Sequence, residues 1–391
     1  MIAGALGWPV PASATGGSVL SATALNSWSA VLQWTASPEV TRIQILRNGR
    51  LIDDLGFPGG ATLAYTDSLL WQSTSYSYEM VAFDAAGALV SDQSASVTTP
   101  AQAGAFPRLY DPTSFWNQPI LADAAVDANS PAMVSSALVA YSGSANFTNS
   151  DEWGRPLAYA NTVSGLFSVG CVIYDCQTAV SFRIPHYAKP ATGADHHVIV
   201  LDPSTNSELD MFMAAYDPSV DSWSAGSRYL AASDGWGAEC ALGQHCLGSV
   251  AAGFDGFGGV VRPEEIAQGH IDHALVFATP YTQAGTIACP ATHTDGATND
   301  PAAIPEGARI QLDPAFDVDG QPWPAWEKTI ARALQTYGAY LEDTGGSLAF
   351  YAEPNLDRGY DAWSLAGVPG APQSLANLPW DSFRVLSLQY C

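Results

Sequence analysis

Four polar residues in the second half of the chain stand out, because imidazoles and carboxylates transfer protons and bind metals. His197 opens an apolar run, and Asp210 lies in the next one. If these runs pair as strands, His197 lies near Asp210 and the two form an acid–base couple. His273 and His293 begin or end later runs. Three imidazoles and a carboxylate in one site would suit proton transfer near neutral pH or a divalent metal.

Carboxylates alone offer a second kind of chemistry, since glycoside hydrolysis uses two acids across the scissile bond. The chain has 38 acidic residues, too many for composition to select a pair. Asp343 is a further catalytic candidate because it lies shortly after the motif at 333–338. The acids at 295–300 are predicted to lie in solvated turns. There is no HExxH or HxH spacing, so the sequence itself requires no cofactor, and a divalent metal stays an alternative.

Aromatic residues predict how a substrate would be held. Several of the 12 tryptophans lie beside Gly, Pro or Asp rather than inside apolar runs. Sugar rings stack on such exposed aromatic faces, although tryptophans also fill cores. Arg262 either clamps a carboxylate or pairs with a neighbouring glutamate. The predicted substrate-binding residues are Trp116, Trp153, Tyr159, Trp236, Arg262 and Glu265.

Net charge narrows the class of partner. Lys and Arg total 14 against 38 Asp and Glu, a formal net charge of −24. Such a surface repels phosphate backbones and anionic lipid, which argues against nucleic acid and favours a neutral polysaccharide or oligosaccharide. No run of about 20 apolar residues could span a membrane. Phosphate-binding loops, dinucleotide fingerprints and the Gly-x-Ser-x-Gly elbow are absent from the sequence.

Six cysteines indicate an oxidising compartment. The simplest pairing is Cys171 with Cys176, Cys240 with Cys246, and Cys289 with Cys391, although six cysteines allow 15 connectivities. A metal cluster is the rival reading, but neither close pair has the spacing of a zinc knuckle. Disulfides predict a secreted, extracellular protein.

The first hundred residues predict a small β module. Residues 30–34 and 42–46 alternate apolar with polar side chains, and Asn48-Gly49 is a two-residue hairpin signal. Trp34, Leu70 and the run from Tyr76 to Gly87 resemble a fibronectin type III domain, in which the tyrosine at the position of Tyr76 forms a corner. The predicted organisation is an extension at 1–14, this accessory domain at 15–100, a linker at 101–105 and a functional domain at 106–391.

Residues 106–391 are rich in short apolar runs, and only 130–141 and 324–337 predict helices. This favours an all-β fold, with a larger antiparallel sandwich of jelly-roll type following the first module. Seven segments in this order resemble a widespread group of secreted bacterial β-sandwich proteins often found beside polysaccharide-degrading systems. The segments are 115–120, 197–202, 259–266, 271–275, 290–293, 305–309 and 333–338.

These features together predict a secreted bacterial carbohydrate-active enzyme, free or associated with the cell surface. A glycoside hydrolase fits best. A polysaccharide lyase, with Arg262 neutralising a uronate, and a non-catalytic carbohydrate-binding or adhesion protein are the alternatives.

Overall fold

The computed structural model describes residues 19–174, 176, 179–238 and 249–390. The chain divides into two compact units. The first comprises the described residues up to Ala101 with Val163–Gly165, and the second comprises Gln102–Thr162 and the described residues from Leu166 onward. Strand residues greatly outnumber helical residues, so the predicted all-β class is confirmed. In the described ranges, no helix is long and apolar enough to cross a membrane.

The first unit is a two-sheet sandwich. One sheet has the order β1-β2-β5 and the other β4-β3-β6-β7, with antiparallel neighbours. Inward positions of β2 and β3 are buried and alternate with half-buried or exposed ones, as their sequences predict. This is the seven-strand arrangement of a fibronectin type III module. Its strands are Ser21–Ala24 (β1), Ala30–Thr35 (β2), Arg42–Arg47 (β3), Arg50–Gly56 (β4), Thr62–Asp67 (β5), Ser75–Phe83 (β6) and Leu89–Thr98 (β7).

Two local predictions for this unit are confirmed. Asn48 and Gly49 both have positive φ, 49° and 77°, and join β3 to β4 as a tight hairpin. The backbone N–H of Trp71 donates a hydrogen bond of 2.6 Å to the hydroxyl of Tyr76, which is the tyrosine corner. The bond ties the start of β6 to the connection that precedes it.

We expect Tyr76→Phe to lower the free energy of unfolding of the first unit by about 1–3 kcal/mol, because it leaves the buried Trp71 N–H without an acceptor. Ser75→Ala, which removes an exposed hydroxyl next to it in sequence, should change stability by less than about 0.5 kcal/mol. Chemical denaturation of the full chain followed by tryptophan fluorescence measures both. Equal effects of the two substitutions would show that the corner does not stabilise the module.

The described residues of the second unit form three larger sheets and a two-stranded one. Their orders are β11-β10-β15-β14, β16-β13-β12-β9, β23-β8-β22-β17-β21-β20-β24 and β18-β19. Strands β12 and β17 are buried along their whole length, as their continuous apolar sequences require. The strands are Asn146–Thr148 (β8), Leu157–Tyr159 (β9), Gly165–Cys171 (β10), Val180–Ile184 (β11), Val198–Asp202 (β12), Ser207–Phe212 (β13), Ala215–Asp217 (β14), Ser222–Ala225 (β15), Ser227–Ala232 (β16), Leu275–Thr279 (β17), Thr282–Ile287 (β18), Ile304–Glu306 (β19), Arg309–Leu312 (β20), Ala339–Thr344 (β21), Ala349–Tyr351 (β22), Gln373–Ser374 (β23) and Phe383–Val385 (β24).

The seven-stranded sheet differs from the purely antiparallel arrangement predicted. β17 and β21 are parallel, and so are β22 and β8. A parallel pair needs a long crossover connection, and the chain between β17 and β21 supplies one that includes a helix. A short apolar run such as β17 predicts a buried strand but not the direction of its neighbours, so the sequence pattern did not distinguish the two arrangements.

The two predicted helical segments are present. Residues 130–144 begin with Pro at the first turn and continue through a wider π turn and a 3-10 turn. The second predicted helix packs Trp326, Ile330 and Leu334 into the core of the seven-stranded sheet. Sequence patterns missed the two shorter helices. The α-helices are Ser130–Met133 (α1), Pro263–Gln268 (α2), Ala325–Thr336 (α3) and Ala362–Leu365 (α4).

The disulfide prediction is confirmed where the structure describes both partners. Cys171 and Cys176 form a bridge that closes a short loop after β10. Cys289 is also disulfide-bonded. Its predicted partner Cys391, and the predicted pair Cys240 and Cys246, lie outside the described residues.

Candidate functional site

Three carboxylates from separate segments meet beside the end of β21. Asp343 lies near the end of that strand, Glu306 ends β19, and Asp295 lies in the loop between β18 and β19. One oxygen from each lies within 4.8 Å of the others. We call Asp295, Glu306 and Asp343 the acid cluster. Among the described residues it is the one group of three or more acidic, His or Cys side chains spaced to hold a metal ion.

Backbone hydrogen bonds bring Glu306 to β21. Gly307 N donates to Leu341 O at 2.8 Å, and Ala288 N donates to Glu306 O at 2.8 Å. Gly307 has a φ of 85°, and a Cβ there would lie 1.8 Å from Ala288 O. Only glycine allows this close approach, so the sequence Pro305-Glu306-Gly307 places the carboxylate beside Asp343.

The third member is held by hydrogen bonds around it. Thr344 Oγ1 donates to Asp295 Oδ1 at 2.6 Å, and Asp295 N donates to Glu306 Oε2 at 3.3 Å. Asp295 is exposed, Asp343 is half-buried and Glu306 is fully buried. The acid cluster therefore opens to solvent on the side of Asp295. The sequence analysis placed residues 295–300 in solvated turns and did not predict that Asp295 belongs to a cluster of acids.

Mutual repulsion and burial raise the pKa values of two members of the acid cluster. Burial, followed by the neighbouring Asp295 carboxylate, raises the pKa of Glu306 to about 10. Burial raises the pKa of Asp343 to about 6, and the charges of Asp295 and Asp195 add to the rise. The positive charge of Arg155 acts in the opposite direction. Asp195 thus lies close enough to Asp343 for its charge to be felt.

A buried ion pair lies next to the acid cluster. Arg155 pairs with Glu342, donates to Gly256 O at 2.6 Å and lies 4.4 Å from the ring centroid of Tyr351. Burial raises the pKa of Glu342 to about 8, against the effect of Arg155. The Tyr351 hydroxyl donates to Asp343 Oδ2 at 3.4 Å. Arg155 is thus paired with Glu342 and only 2% exposed, so it is shielded from a substrate anion.

His197 does not form the predicted couple with Asp210. The strand register pairs Ile199 with Asp210, and the imidazole of His197 instead packs on Phe212 with ring centroids 5.3 Å apart. Among the described residues, no hydrogen bond joins His197 to Asp210. Burial, then the positive charge of Arg155, lowers the pKa of His197 to about 3. The imidazole is therefore neutral at physiological pH rather than poised near it.

Asp210 belongs to a second, fully buried group of acids. Its Oδ2 accepts from Gly256 N at 2.7 Å, and Glu208 accepts from the Tyr110 hydroxyl at 3.0 Å and from Phe257 N at 3.0 Å. Burial, then the charges of Asp210 and Asp255, raises the pKa of Glu208. Both acids are at most 1% exposed, so Asp210 cannot contact a polymer from this position.

Three further candidates, Arg262, Glu265 and His273, meet in the core rather than at a binding surface. Arg262 donates to Glu265 Oε1 at 2.9 Å, and His273 Nε2 lies 3.1 Å from the same oxygen. Arg262 also stacks on Phe106, 4.5 Å from the ring centroid. The Glu265 carboxylate accepts from the Arg262 backbone N–H and caps α2. Of the two roles foreseen for Arg262, the structure contains the pairing with a neighbouring glutamate.

We expect Glu265→Gln to destabilise the second unit by about 3–5 kcal/mol at neutral pH, because it leaves a buried arginine without its counter-charge. Burial alone would raise the pKa of Glu265, but Arg262 and His273 outweigh it and hold the pKa at about 2. The pKa of Glu265 is lower in the folded protein than in the unfolded chain, where it is near 4.5. The ionised carboxylate therefore stabilises the fold fully at pH values above about 4.5. The difference from wild type should therefore shrink as the pH falls from about 4 to about 2.

Urea unfolding at several pH values measures this difference. Asp272→Asn is the matched control, since Asp272 forms an exposed pair with His270 in the same segment and should contribute less than about 1 kcal/mol. A Glu265→Gln protein as stable as the control would mean that the buried pair does not hold α2 in place.

The aromatic candidates separate into core and surface residues. Trp116 is 1% exposed and packs against Phe254 and Tyr340, so its prediction as a sugar platform is wrong. Trp153 is 45% exposed and Trp236 42%. Tyr159 is half-buried at the end of β9, with a hydrogen bond of 2.8 Å between its N–H and the Tyr187 hydroxyl.

Trp153 is an exposed aromatic residue that packs against the loop carrying Asp195. A Cβ on Gly193 would lie 3.1 Å from the six-membered ring of Trp153, so the ring packs directly on the Gly193 backbone. Gly193 N donates to Glu152 O at 3.0 Å, and Met213 N donates to Asp195 O at 2.7 Å. The first bond holds the loop that carries Asp195 against the segment that carries Trp153, and the second ties Asp195 to the residue after β13. Trp236 instead packs edge-on against Phe115, 5.0 Å away.

The predicted quartet of His197, Asp210, His273 and His293 does not converge. His293 is exposed and accepts a hydrogen bond of 2.7 Å from Thr294 N at its Nδ1. The acid cluster replaces the three imidazoles as the group suited to a metal, and its ligands are all oxygens. Of the predicted catalytic residues, Asp343 alone belongs to it. Glu306 lies in the motif at 305–309 that the sequence analysis noted. Arg155, Asp195 and Tyr351 come close to Asp343 only because the chain folds.

Comparisons with known proteins bear on the fold of a small part of the chain. No protein-family model matches the sequence, and no curated protein matches it. Solved structures similar to it include fibronectin(III)-like modules of Clostridium thermocellum CbhA, at 14% identity over 22% of this chain and 93% of that one, with a TM-score of 0.18. The fn3 domain of the human collagen alpha-1(XX) chain matches at 22% identity over 25% of this chain and 98% of that one, with a TM-score of 0.21.

A family 28 exopolygalacturonase of Yersinia enterocolitica also matches, at 19% identity and a TM-score of 0.18. The match covers 21% of this chain and 20% of the enzyme, so this chain spans only a fifth of that protein. Likenesses at such TM-scores carry no functional argument. None of these comparisons supports the resemblance of residues 106–391 to the secreted bacterial β-sandwich group.

Proposed function

We propose that the second unit is a carbohydrate-active enzyme that hydrolyses glycosidic bonds in a largely neutral extracellular polysaccharide. The observation that supports the proposal is a pair of half-buried carboxylic acids from separate segments, Asp343 in the acid cluster and Asp195, whose charge helps to raise the pKa of Asp343. Glycosidases of most families need such a pair flanking the scissile bond. Both residues are half-buried, so each is open to a substrate and still partly shielded from water.

The surroundings of the pair fit a sugar substrate. Trp153 exposes an aromatic ring beside the Asp195 loop, and the flat face of a pyranose or furanose ring stacks on such a surface. The Tyr351 hydroxyl, which donates to Asp343, supplies a neutral hydrogen-bonding group next to that carboxylate. Hydroxyl-rich ligands are oriented by groups of this kind at the edge of an apolar site.

Charge argues against the lyase alternative. A β-eliminating lyase must neutralise the carboxylate of a uronate, and Arg262 was the residue predicted for that role. Arg262 is bound to Glu265, and Arg155, the arginine next to the acid cluster, is bound to Glu342. With a net charge of −24 on the whole chain, a neutral glycan meets less repulsion than a polyuronate.

We also propose that the protein is secreted and that the fibronectin type III unit serves as an accessory module for the second unit. The bridge between Cys171 and Cys176 and the bonded state of Cys289 support an oxidising compartment. Modules of the fibronectin type III fold are defined by their architecture rather than by a reaction, so we assign the chemistry to the second unit.

The direct test is turnover of a panel of neutral and acidic polysaccharides, followed by reducing-end release and by ultraviolet absorbance of unsaturated uronates. We expect reducing ends without the absorbance.

Asp195→Asn and Asp343→Asn should each lower kcat/KM by about 10²–10⁴, the usual contribution of a positioned acid or base. Asp123→Asn, an exposed carboxylate outside the site, is the control. Full activity in both site variants would sink the assignment, and binding without cleavage would favour a carbohydrate-binding protein.

We expect Trp153→Ala to raise KM by roughly 2- to 10-fold with kcat nearly unchanged, since a stacking contact away from the reacting bond contributes about 0.5–1.5 kcal/mol. Trp236→Ala removes a tryptophan of similar exposure that packs on Phe115 instead, and should leave KM within about twofold. Michaelis–Menten kinetics on the best substrate of the panel distinguish them. A larger effect from Trp236 than from Trp153 would place sugar binding elsewhere.

A further inference from the structure

The acid cluster combines close carboxylates with an unsatisfied buried oxygen. Asp295, Glu306 and Asp343 each offer one oxygen within 4.8 Å of the other two. We infer that this cluster binds a hard divalent cation, with calcium as the best fit. The inference shares Asp343 with the hydrolase proposal, but it concerns cation binding alone and is tested without a substrate.

Glu306 supplies the observation that points to a ligand. Its side chain is fully buried, and its Oε1 atom makes no hydrogen bond. Leaving a buried carboxylate oxygen without a partner is unfavourable, because the oxygen has lost its hydration and gained nothing in return. The other oxygen, Oε2, accepts a long bond of 3.3 Å from Asp295 N. A cation among the three carboxylates would give Oε1 the partner that it lacks.

The protein itself does not neutralise the cluster. Among the described residues, no lysine or arginine forms an ion pair with Asp295, Glu306 or Asp343, and the neighbouring Arg155 is paired with Glu342. Three carboxylates at this separation repel one another strongly when ionised. Either protons or a bound cation must reduce that charge. A divalent ion does so for all three groups at once.

Ligand chemistry and access select the class of ion. Carboxylate oxygens with no nitrogen or sulfur donors suit calcium, magnesium or manganese rather than zinc or copper. Asp295 is exposed, so a hydrated ion can enter from that side and keep some of its water. Calcium tolerates irregular geometry and takes six to eight oxygens, partly from water, whereas magnesium demands a near-ideal octahedron. A site with three protein carboxylates and open positions therefore fits calcium best, with a Kd of roughly 10⁻⁴–10⁻³ M.

Isothermal titration calorimetry of the chelator-treated full chain with calcium chloride tests the inference without any substrate. We expect one site, and a rise in unfolding temperature of roughly 5–10 °C at about 100 times Kd. Glu306→Gln keeps the shape of the side chain and should weaken binding at least about tenfold, as should Asp343→Asn. Asp317→Asn alters another acidic turn, where Asp317 Oδ1 accepts from Gly320 N, and should bind calcium as wild type does.

Absence of binding by the wild-type protein, with the same unfolding temperature in calcium, magnesium and chelator, would overturn the inference and leave the charge of the cluster to shared protons. Equal binding by Glu306→Gln and wild type would also overturn it, since the ion would then lie elsewhere. A variant that fails to fold does not affect the wild-type measurement. A protein that binds calcium but cleaves no glycan contradicts the proposed function and supports the site.

Discussion

Neutralising buried charge is the constraint on which the second unit depends. A carboxylate taken out of water needs an arginine, a proton, a set of N–H donors or a cation close to it. The whole chain has 14 basic residues against 38 acidic ones, so arginines cannot serve every buried acid. Arg155 is bound to Glu342, Arg262 to Glu265, and Arg358 to both Glu264 and Glu353.

The distribution of these partners explains where the chemistry can occur. Glu342 and Asp343 are neighbours on β21, and side chains of successive strand residues point to opposite faces. Glu342 meets Arg155 in the core, while Asp343 faces the acids of two other segments at a surface that solvent reaches. The buried pair fixes the strand, and the carboxylates without an arginine remain available for a substrate or an ion.

Sequence patterns predicted the fold class, the alternation in β2 and β3, the Asn48-Gly49 hairpin and the corner at Tyr76. All of these depend on residues close in sequence or on a regular period. The pattern did not give the parallel pairing of β17 with β21, because a short apolar run predicts a buried strand but not the direction of its neighbours.

The candidate site was harder to predict because it depends on long-range contacts. Asp343 was among the predicted catalytic residues, but its neighbours Asp295 and Asp195 come from loops that only the folded chain brings together. His273 and Arg262 had suitable chemistry in the sequence, and the fold uses that chemistry to secure α2. Trp116 could be assigned to the core only once Gly258 and Gly259 were seen against its ring.

The most direct measurement of the central claim is a crystal structure of the Asp343→Asn variant with an oligosaccharide of the preferred polymer. We predict a sugar ring stacked on Trp153, and the glycosidic oxygen between the carboxyl group of Asp195 and the side chain at position 343. An oligosaccharide bound at Trp236, or at any surface that leaves Asp195 and position 343 without contact to the sugar, would contradict the account.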